Sequence, residues 1–276
     1  MIKLVKSLAP KKLKKFIKRK VLKKGYVSKP THLTSLTKDE FTLDCTIAYN
    51  KYGGYCTPYA VQKESVVQAI LKGDVYEPHT IQYIIDHCGE GDVVQAGAFF
   101  GDFLPGIAKN ISKNAKVWTF EPSSEYYRCS EITILINNLK NVELFQVGLG
   151  AEKSEQKLQV ATEDGRQLGG ASRIIDSENG KFVPIFIERL DNIIPEDRNI
   201  SILQFDLEGF EVPALKGAIN TIKRCKPILI LEILSHNDIL TNDWFKENIL
   251  SLGYQITGKV HNNTIITTKH NTTQLN

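Results

Sequence analysis

Val93-Val94-Gln95-Ala96-Gly97-Ala98-Phe99-Phe100-Gly101-Asp102 decides the fold of this 276-residue chain. A β-forming run stops at Gly97, and Gly101 closes the turn before a helical pattern starts. Glycines at such a strand-to-helix turn let the backbone bend sharply and approach a ligand, and the helix N-terminus offers unpaired amides. Outward from this unit, whose strand spans 92–96, further strands are predicted at 116–121, 142–147, 201–206 and 227–233. Helical periodicity falls at 79–88, 102–112, 124–138, 211–224 and 243–251. Strands alternating with helices predict an α/β fold, a doubly wound parallel sheet with helices on both faces. The tail breaks the rule: Tyr254 to Lys259 and Thr264 to Lys269, separated by His261-Asn262-Asn263, read as an antiparallel pair.

Charge divides the chain unevenly. Residues 1–30 hold 12 of the 35 Lys and Arg and none of the 31 Asp and Glu, so a mildly acidic globule carries a basic arm. Within the arm Leu13, Phe16, Ile17 and Val21 recur at helical spacing among lysines, a basic amphipathic helix suited to an anionic membrane surface or to its own domain. Three segments are expected: the arm at 1–30, an N-terminal cap at 31–74 and the α/β domain at 75–276. The cap combines a β-like run at Phe41 to Tyr49, a glycine-rich turn and a helical stretch from Ala60 to Leu71. No stretch approaches the roughly 20 apolar residues of a membrane span, and the basic N-terminus lacks the core and cleavage site of a secretory signal. A cytoplasmic location is expected, with peripheral membrane contact through the arm. The five cysteines are scattered, without a CxxC pair, and read as free, mostly buried thiols.

In an open parallel sheet ligands bind at the carboxyl ends of the strands, so the loops there hold the candidate site. The first carries Gln95, Gly97, Phe99, Gly101 and Asp102. The second strand ends in Glu121-Pro122-Ser123, with Glu121 placed to accept both hydroxyls of a ribose. The fourth delivers Asp206-Leu207-Glu208-Gly209-Phe210-Glu211, whose Asp206 and Glu208 point to one side if the strand continues. Paired carboxylates can orient an acceptor hydroxyl or take its proton, whereas Glu208 or Glu211 can equally cap the next helix. His236 follows the fifth strand as a candidate general base, or as a surface loop residue. Glu77 and His79 precede the first core strand, where they can close over a ligand. Arg173, in the glycine-bearing Leu168-Gly169-Gly170-Ala171-Ser172-Arg173, suits an anionic acceptor or a solvated loop; the segment is long enough to be an acceptor-side lid. Neither G-x-G-x-x-G nor a phosphate loop is matched, and no grouping of His, Cys, Asp and Glu has metal-ligand spacing, so no metal is expected. A G-x-S-x-G elbow is likewise missing.

Taken in order, Gln95-Ala96-Gly97-Ala98-Phe99-Phe100-Gly101-Asp102, Phe120-Glu121-Pro122, Asp206-Leu207-Glu208-Gly209-Phe210-Glu211, Leu215-Lys216-Gly217-Ala218 and Pro227 to Glu232 resemble the FkbM family of methyltransferases. The resemblance spans Gly91 to Leu234, about half the chain. It implies a Rossmann-like class I methyltransferase sheet, behind the N-terminal extension, and S-adenosylmethionine as cofactor. By the same resemblance Gly97 and Gly101 line the methionine part, Glu121 holds the ribose, Gly148 lies near the adenine, and Asp206 and Glu208 face the acceptor, commonly a hydroxyl of a sugar or natural product. Gln95 stands where the family has an acid, and Phe99 where it has a small or polar residue. Two other readings stay open: an NAD-dependent or sugar-nucleotide oxidoreductase, and a non-catalytic binding module with a degenerate cofactor site. Nucleic acid is a poor partner for an acidic globule without a D/N-P-P-Y motif.

Overall fold

Runs such as Asp92-Val93-Val94-Gln95-Ala96 and Ile228-Leu229-Ile230-Leu231-Glu232 are apolar at nearly every position, which suits strands covered on both faces. The computed structural model, which describes residues 43–175, 179–233 and 239–269, places them in the middle of a sheet. The basic arm and His236 lie outside the described residues. In chain order, β1 (Cys45–Asn50) and β2 (Gly53–Pro58) form an antiparallel hairpin, followed by α1 (Ser65–Leu71), α2 (Pro78–His87), β3 (Asp92–Ala96), α3 (Leu104–Ala108), β4 (Val117–Phe120), α4 (Ser124–Ile136) and β5 (Val142–Phe145). Next come β6 (Gly148–Leu149), β7 (Ser154–Ala161), β8 (Arg173–Ile174), β9 (Lys181–Glu188), α5 (Leu190–Ile193), β10 (Ile200–Phe205), α6 (Glu211–Gly217), α7 (Ile219–Cys225), β11 (Ile228–Glu232), α8 (Asp243–Asn248), β12 (Tyr254–Val260) and β13 (Asn263–Thr268).

The central sheet has the order β12-β13-β11-β10-β3-β4-β5. Five strands are parallel and the β12–β13 pair is antiparallel, the doubly wound Rossmann-like arrangement predicted from the sequence. The winding reverses at β3: β4 and β5 extend to one side, β10 and β11 to the other, so a crevice opens at the carboxyl ends of β3 and β10. Val94, Ala96, Leu203, Phe205, Leu229 and Leu231 pack with α6, α7 and α8 on one face. Val93, Val117, Ile202, Ile228 and Ile230 pack with α2 and α3 on the other. At the amino edge the buried Asp92 accepts from Trp118 Nε1 (2.8 Å), Lys116 N (2.8 Å) and the Arg198 guanidinium, tying β3, β4 and the approach to β10 together.

Several local expectations are corrected. The helix expected over 102–112 is the single turn Leu104–Ala108, with Pro105 at its start and Gly106 inside it. The one over 211–224 breaks at Gly217–Ala218, where a Cβ on Gly217 would sit 2.0 Å from the Gly150 carbonyl. The helical stretch from Ala60 is a short 3-10 turn, then α1 from Ser65, and the pattern to 251 ends at Asn248 before a 3-10 turn. The sequence reading also missed the second sheet, β6-β9-β7-β8, inserted between β5 and β10. Its strands alternate polar and apolar residues, as in Lys157 to Val160, and one face packs Leu158, Ile185 and Ile187. The β1–β2 hairpin lies on α4, held by Cys56 N donating to Thr133 Oγ1 (3.0 Å) and by Asn137 exchanging hydrogen bonds with the Gly54 backbone. Among the described residues no helix is long and apolar enough to cross a membrane.

Candidate active site

Where β3 and β10 end, their backbones nearly touch. Gly97 sits at φ +90°, and a Cβ there would lie 2.1 Å from the Asp206 carbonyl oxygen, so only glycine permits the approach. The turn beyond it is built by Glu121: one carboxylate oxygen accepts from Phe99 N (2.9 Å), the other from Ser123 N (2.8 Å). Phe99 is held at φ 48°, its carbonyl accepting from Ser130 Oγ and its ring edge-on to Tyr126. Glu208 (φ 53°) and Glu77 (φ 44°) share this left-handed backbone, disfavoured for residues with a side chain. Such strain collects at functional sites, where the surrounding structure enforces it.

These residues wall a cavity of about 300 Å³. Gln95, Gly97, Phe99 and Asp102 come from the first turn, Glu121 and Pro122 from the second, Gly148 from the start of β6, and Asp206, Glu208 and Glu232 from the β10 and β11 ends. Glu77 closes one side, its carboxylate accepting from Thr80 Oγ1 (2.8 Å) and Asn263 Nδ2 (2.9 Å). Opposite, Glu64 of the cap meets the Gly169–Ile174 segment, and its carboxylate accepts from Gly170 N (3.3 Å).

Not every candidate reaches the cavity. Gly101, at φ +82°, turns its α-carbon toward Leu104, Thr133 and Ser130, so its role is to pack the turn on α4. Ser123 sits behind the wall at the start of α4, and its backbone serves Glu121. Glu211 is fully buried and accepts from Leu207 N (3.0 Å) and Gly209 N (3.2 Å), fixing the loop that presents Asp206 and Glu208. His79 is exposed and stacks on His261, 5.5 Å between centroids, away from the cavity. Gln95 lines the cavity, but its amide is engaged: Nε2 donates to the Gly97 carbonyl (2.9 Å) and Oε1 accepts from Thr119 Oγ1 (2.6 Å). Glu232, which the sequence reading passed over as the last residue of an apolar strand, is hydrogen-bonded to Asp206.

The electrostatics follow from crowding acids into a buried cleft. Seven carboxylates face the cavity (Glu64, Glu77, Asp102, Glu121, Asp206, Glu208 and Glu232), against one basic side chain among the lining residues, Arg173. Burial lifts Glu121 to about 8, Asp102 to about 7 and Glu208 to about 7, the last also by repulsion from Glu232. Asp206 is held well above the carboxylate range by burial, then by its hydrogen bond with Glu232 and repulsion from Glu232, Glu208 and Glu77.

A pH dependence of stability follows. Between the ordinary carboxylate range and these raised values, the folded chain binds more protons than the unfolded chain, so stability falls as pH rises through that window. The ligand-free protein is therefore expected to melt at a lower temperature at pH 8 than at pH 5.5, by several degrees in scanning calorimetry. A melting temperature that climbs over this range would contradict the buried acid cluster.

The chain matches the model of the Methyltransferase FkbM domain over residues 95–256, which takes in the glycine turn, Glu121, Asp206, Glu208 and Glu232. No curated protein matches it. Among solved structures it is similar to the methyltransferase FkbM from Methylobacillus flagellatus KT, with 20% identity, 65% of this chain and 43% of that chain covered, and a TM-score of 0.45. It thus spans less than half of that protein's length. It is also similar to a SAM-dependent methyltransferase from Aquifex aeolicus (13% identity, 70% and 88% covered, TM-score 0.38) and to an rRNA methylase from Streptococcus thermophilus (12% identity, 69% and 94% covered, TM-score 0.41). Since the family match covers more than half of the sequence and takes in most of the residues that line the cavity, the chain belongs to the FkbM family of methyltransferases.

Proposed function

We propose that this protein transfers a methyl group from S-adenosylmethionine to a hydroxyl of a sugar or small natural product. The observation that carries this reading is the cavity lining, in which seven acidic side chains face Arg173 as the one basic side chain among the described residues. S-adenosylmethionine is a net cation at neutral pH, so an acidic cleft attracts it, whereas the pyrophosphate of NAD meets like charge. The donor set fits. Each Glu121 oxygen already accepts one backbone N–H and keeps a lone pair for a ribose hydroxyl. Asp102 and Glu77 line the same cavity as the Gly97 turn and can receive the ammonium of the methionine end. Gly148, at the β6 edge, suits the adenine.

When bound, the cofactor supplies an electrophilic methyl group on a sulfonium sulfur. The chain's own part is to position the acceptor and manage its proton. Carboxylates at the β10 and β11 ends accept hydrogen bonds from a neutral polyol, and Asp206 or Glu208 orients the reacting hydroxyl and takes its proton. A carboxylate with a raised pKa is a stronger base than an ordinary one, while fixed orientation supplies much of the rate. Anionic acceptors are disfavoured here, because Arg173 points part of its guanidinium at Gln159 Oε1 (3.5 Å).

Calorimetric titration tests the reading. S-adenosylmethionine should bind and NAD should not, and Glu121→Ala should weaken the former roughly tenfold to a hundredfold, the loss of hydrogen bonds to two hydroxyls. Binding of NAD alone would favour the oxidoreductase instead. If neither binds, a degenerate cofactor site is the better account.

A further inference from the structure

The acidic edge of the cavity holds a constellation that residue spacing along the chain conceals. Asp206 follows β10, Glu208 sits in the left-handed turn beyond it, and Glu232 ends β11, one step past the register pair Phe205–Leu231. Carboxylate oxygens of all three lie within 4.8 Å of one another. A second feature lies two residues back along β10. Gln204 shares the sheet face of Asp206, is 2% exposed, lines the same cavity, and its Oε1 accepts no hydrogen bond among the described residues. Its register partner on β3, Gln95, directs its amide to Gly97 and Thr119 instead. A buried carbonyl oxygen left without a donor is costly, and packing alone would be served by an aliphatic residue such as its other register partner, Ile230.

We propose that Asp206, Glu208 and Glu232, in the cavity that the buried Gln204 also lines, bind a hard divalent cation of the Mg2+ or Mn2+ kind. An all-oxygen donor set of carboxylates and a neutral carbonyl selects such ions over softer ones. The cation relieves the mutual repulsion of three clustered carboxylates, gives the orphaned oxygen a partner, and leaves coordination positions for water or for neighbouring hydroxyls of an acceptor. The role for the acceptor rests on the methyl-transfer reading above: the carboxylates then serve as ligands, the acceptor oxygen is polarised, and its proton passes to water. Cation binding itself does not depend on that reading.

The test needs neither substrate nor turnover. Mn2+ is titrated into the purified full chain while water-proton relaxation is followed, and S-adenosylmethionine binding is measured separately by calorimetry in excess chelator. One saturable Mn2+ site, displaced by Mg2+, is expected, with affinity reduced roughly tenfold or more in Asp206→Asn and in Glu232→Gln, and by a smaller factor in Gln204→Leu. Circular dichroism checks that each variant folds. A wild-type chain that binds S-adenosylmethionine yet shows no saturable Mn2+ site overturns the cation and leaves the methyltransferase reading intact. Equal Mn2+ affinity in the wild type and in folded variants overturns the assignment to these residues. Saturable Mn2+ binding lost in the variants, without any binding of S-adenosylmethionine, supports the cation site and overturns the cofactor reading instead.

Discussion

Asp206→Asn is expected to lower methyl transfer by about 10²- to 10⁴-fold, the range for loss of a group that handles a proton in the transition state. The substitution keeps the shape of the side chain and spares the backbone bond from Asp206 N to the Ala96 carbonyl (3.1 Å). What it removes is a group beside Glu232 that can take up and release a proton, which an amide cannot do. Because Glu121 and the Gly97 turn are untouched, affinity for S-adenosylmethionine should change little. The decisive comparison is single-turnover transfer of labelled methyl set beside calorimetric binding of the donor. A variant that transfers methyl at close to the wild-type rate removes Asp206 from the chemistry, whether it acts as base or as cation ligand.

Gly97→Ala has the largest effect expected on stability. The new Cβ would meet a backbone carbonyl at 2.1 Å, and a carbonyl cannot rotate aside as a side chain can. The ends of β3 and β10 must part, in the middle of the sheet, and the residue must also keep a φ of +90° that alanine resists. Together these cost about 3 kcal/mol or more, a fall of roughly 6–12 °C in melting temperature for a domain of this size. Gly253 offers the control: its φ is +91°, yet a Cβ there meets nothing within 4 Å. Gly253→Ala should therefore lose only the backbone preference, about 1 kcal/mol, and equal losses at the two sites would refute the close approach as the cause.

The parallel strands were legible because each is a short apolar run bounded by turn residues, and burial on both faces demands that pattern. The antiparallel tail was legible too, since Tyr254 to Lys259 and Thr264 to Lys269 flank a polar turn with no room for a crossover helix. The second sheet was not. Its strands are half exposed, broken by Gly165, Gly169 and Gly180, and their polar and apolar residues alternate weakly enough to pass for loop. The same limit applies to helix ends: Gly106 and Gly217 sit inside helical patterns, and only packing, such as the Gly150 carbonyl against Gly217, decides that the helix stops or breaks there.

For the candidate site, the sequence by itself determined which loops gather at one end of the sheet, because alternation of strands and helices fixes which end each loop occupies. That placed the Gly97 turn, Glu121, Asp206 and Glu208 around one crevice. Tertiary structure alone decided which polar residues share that crevice and which merely support it. Glu232 joins Asp206 because β10 and β11 are neighbours in register, a relation between residues 26 positions apart that no local pattern records. Gly101, Ser123 and Glu211 fall behind the wall because their hydrogen bonds and packing are spent on shaping it. Gln204 reads as one more strand residue until its buried oxygen, without a partner among the described residues, is found in the lining of the cavity that holds the three carboxylates. Local sequence dictates where the backbone can turn; the meeting of distant side chains depends on strand order and register, which are properties of the whole sheet.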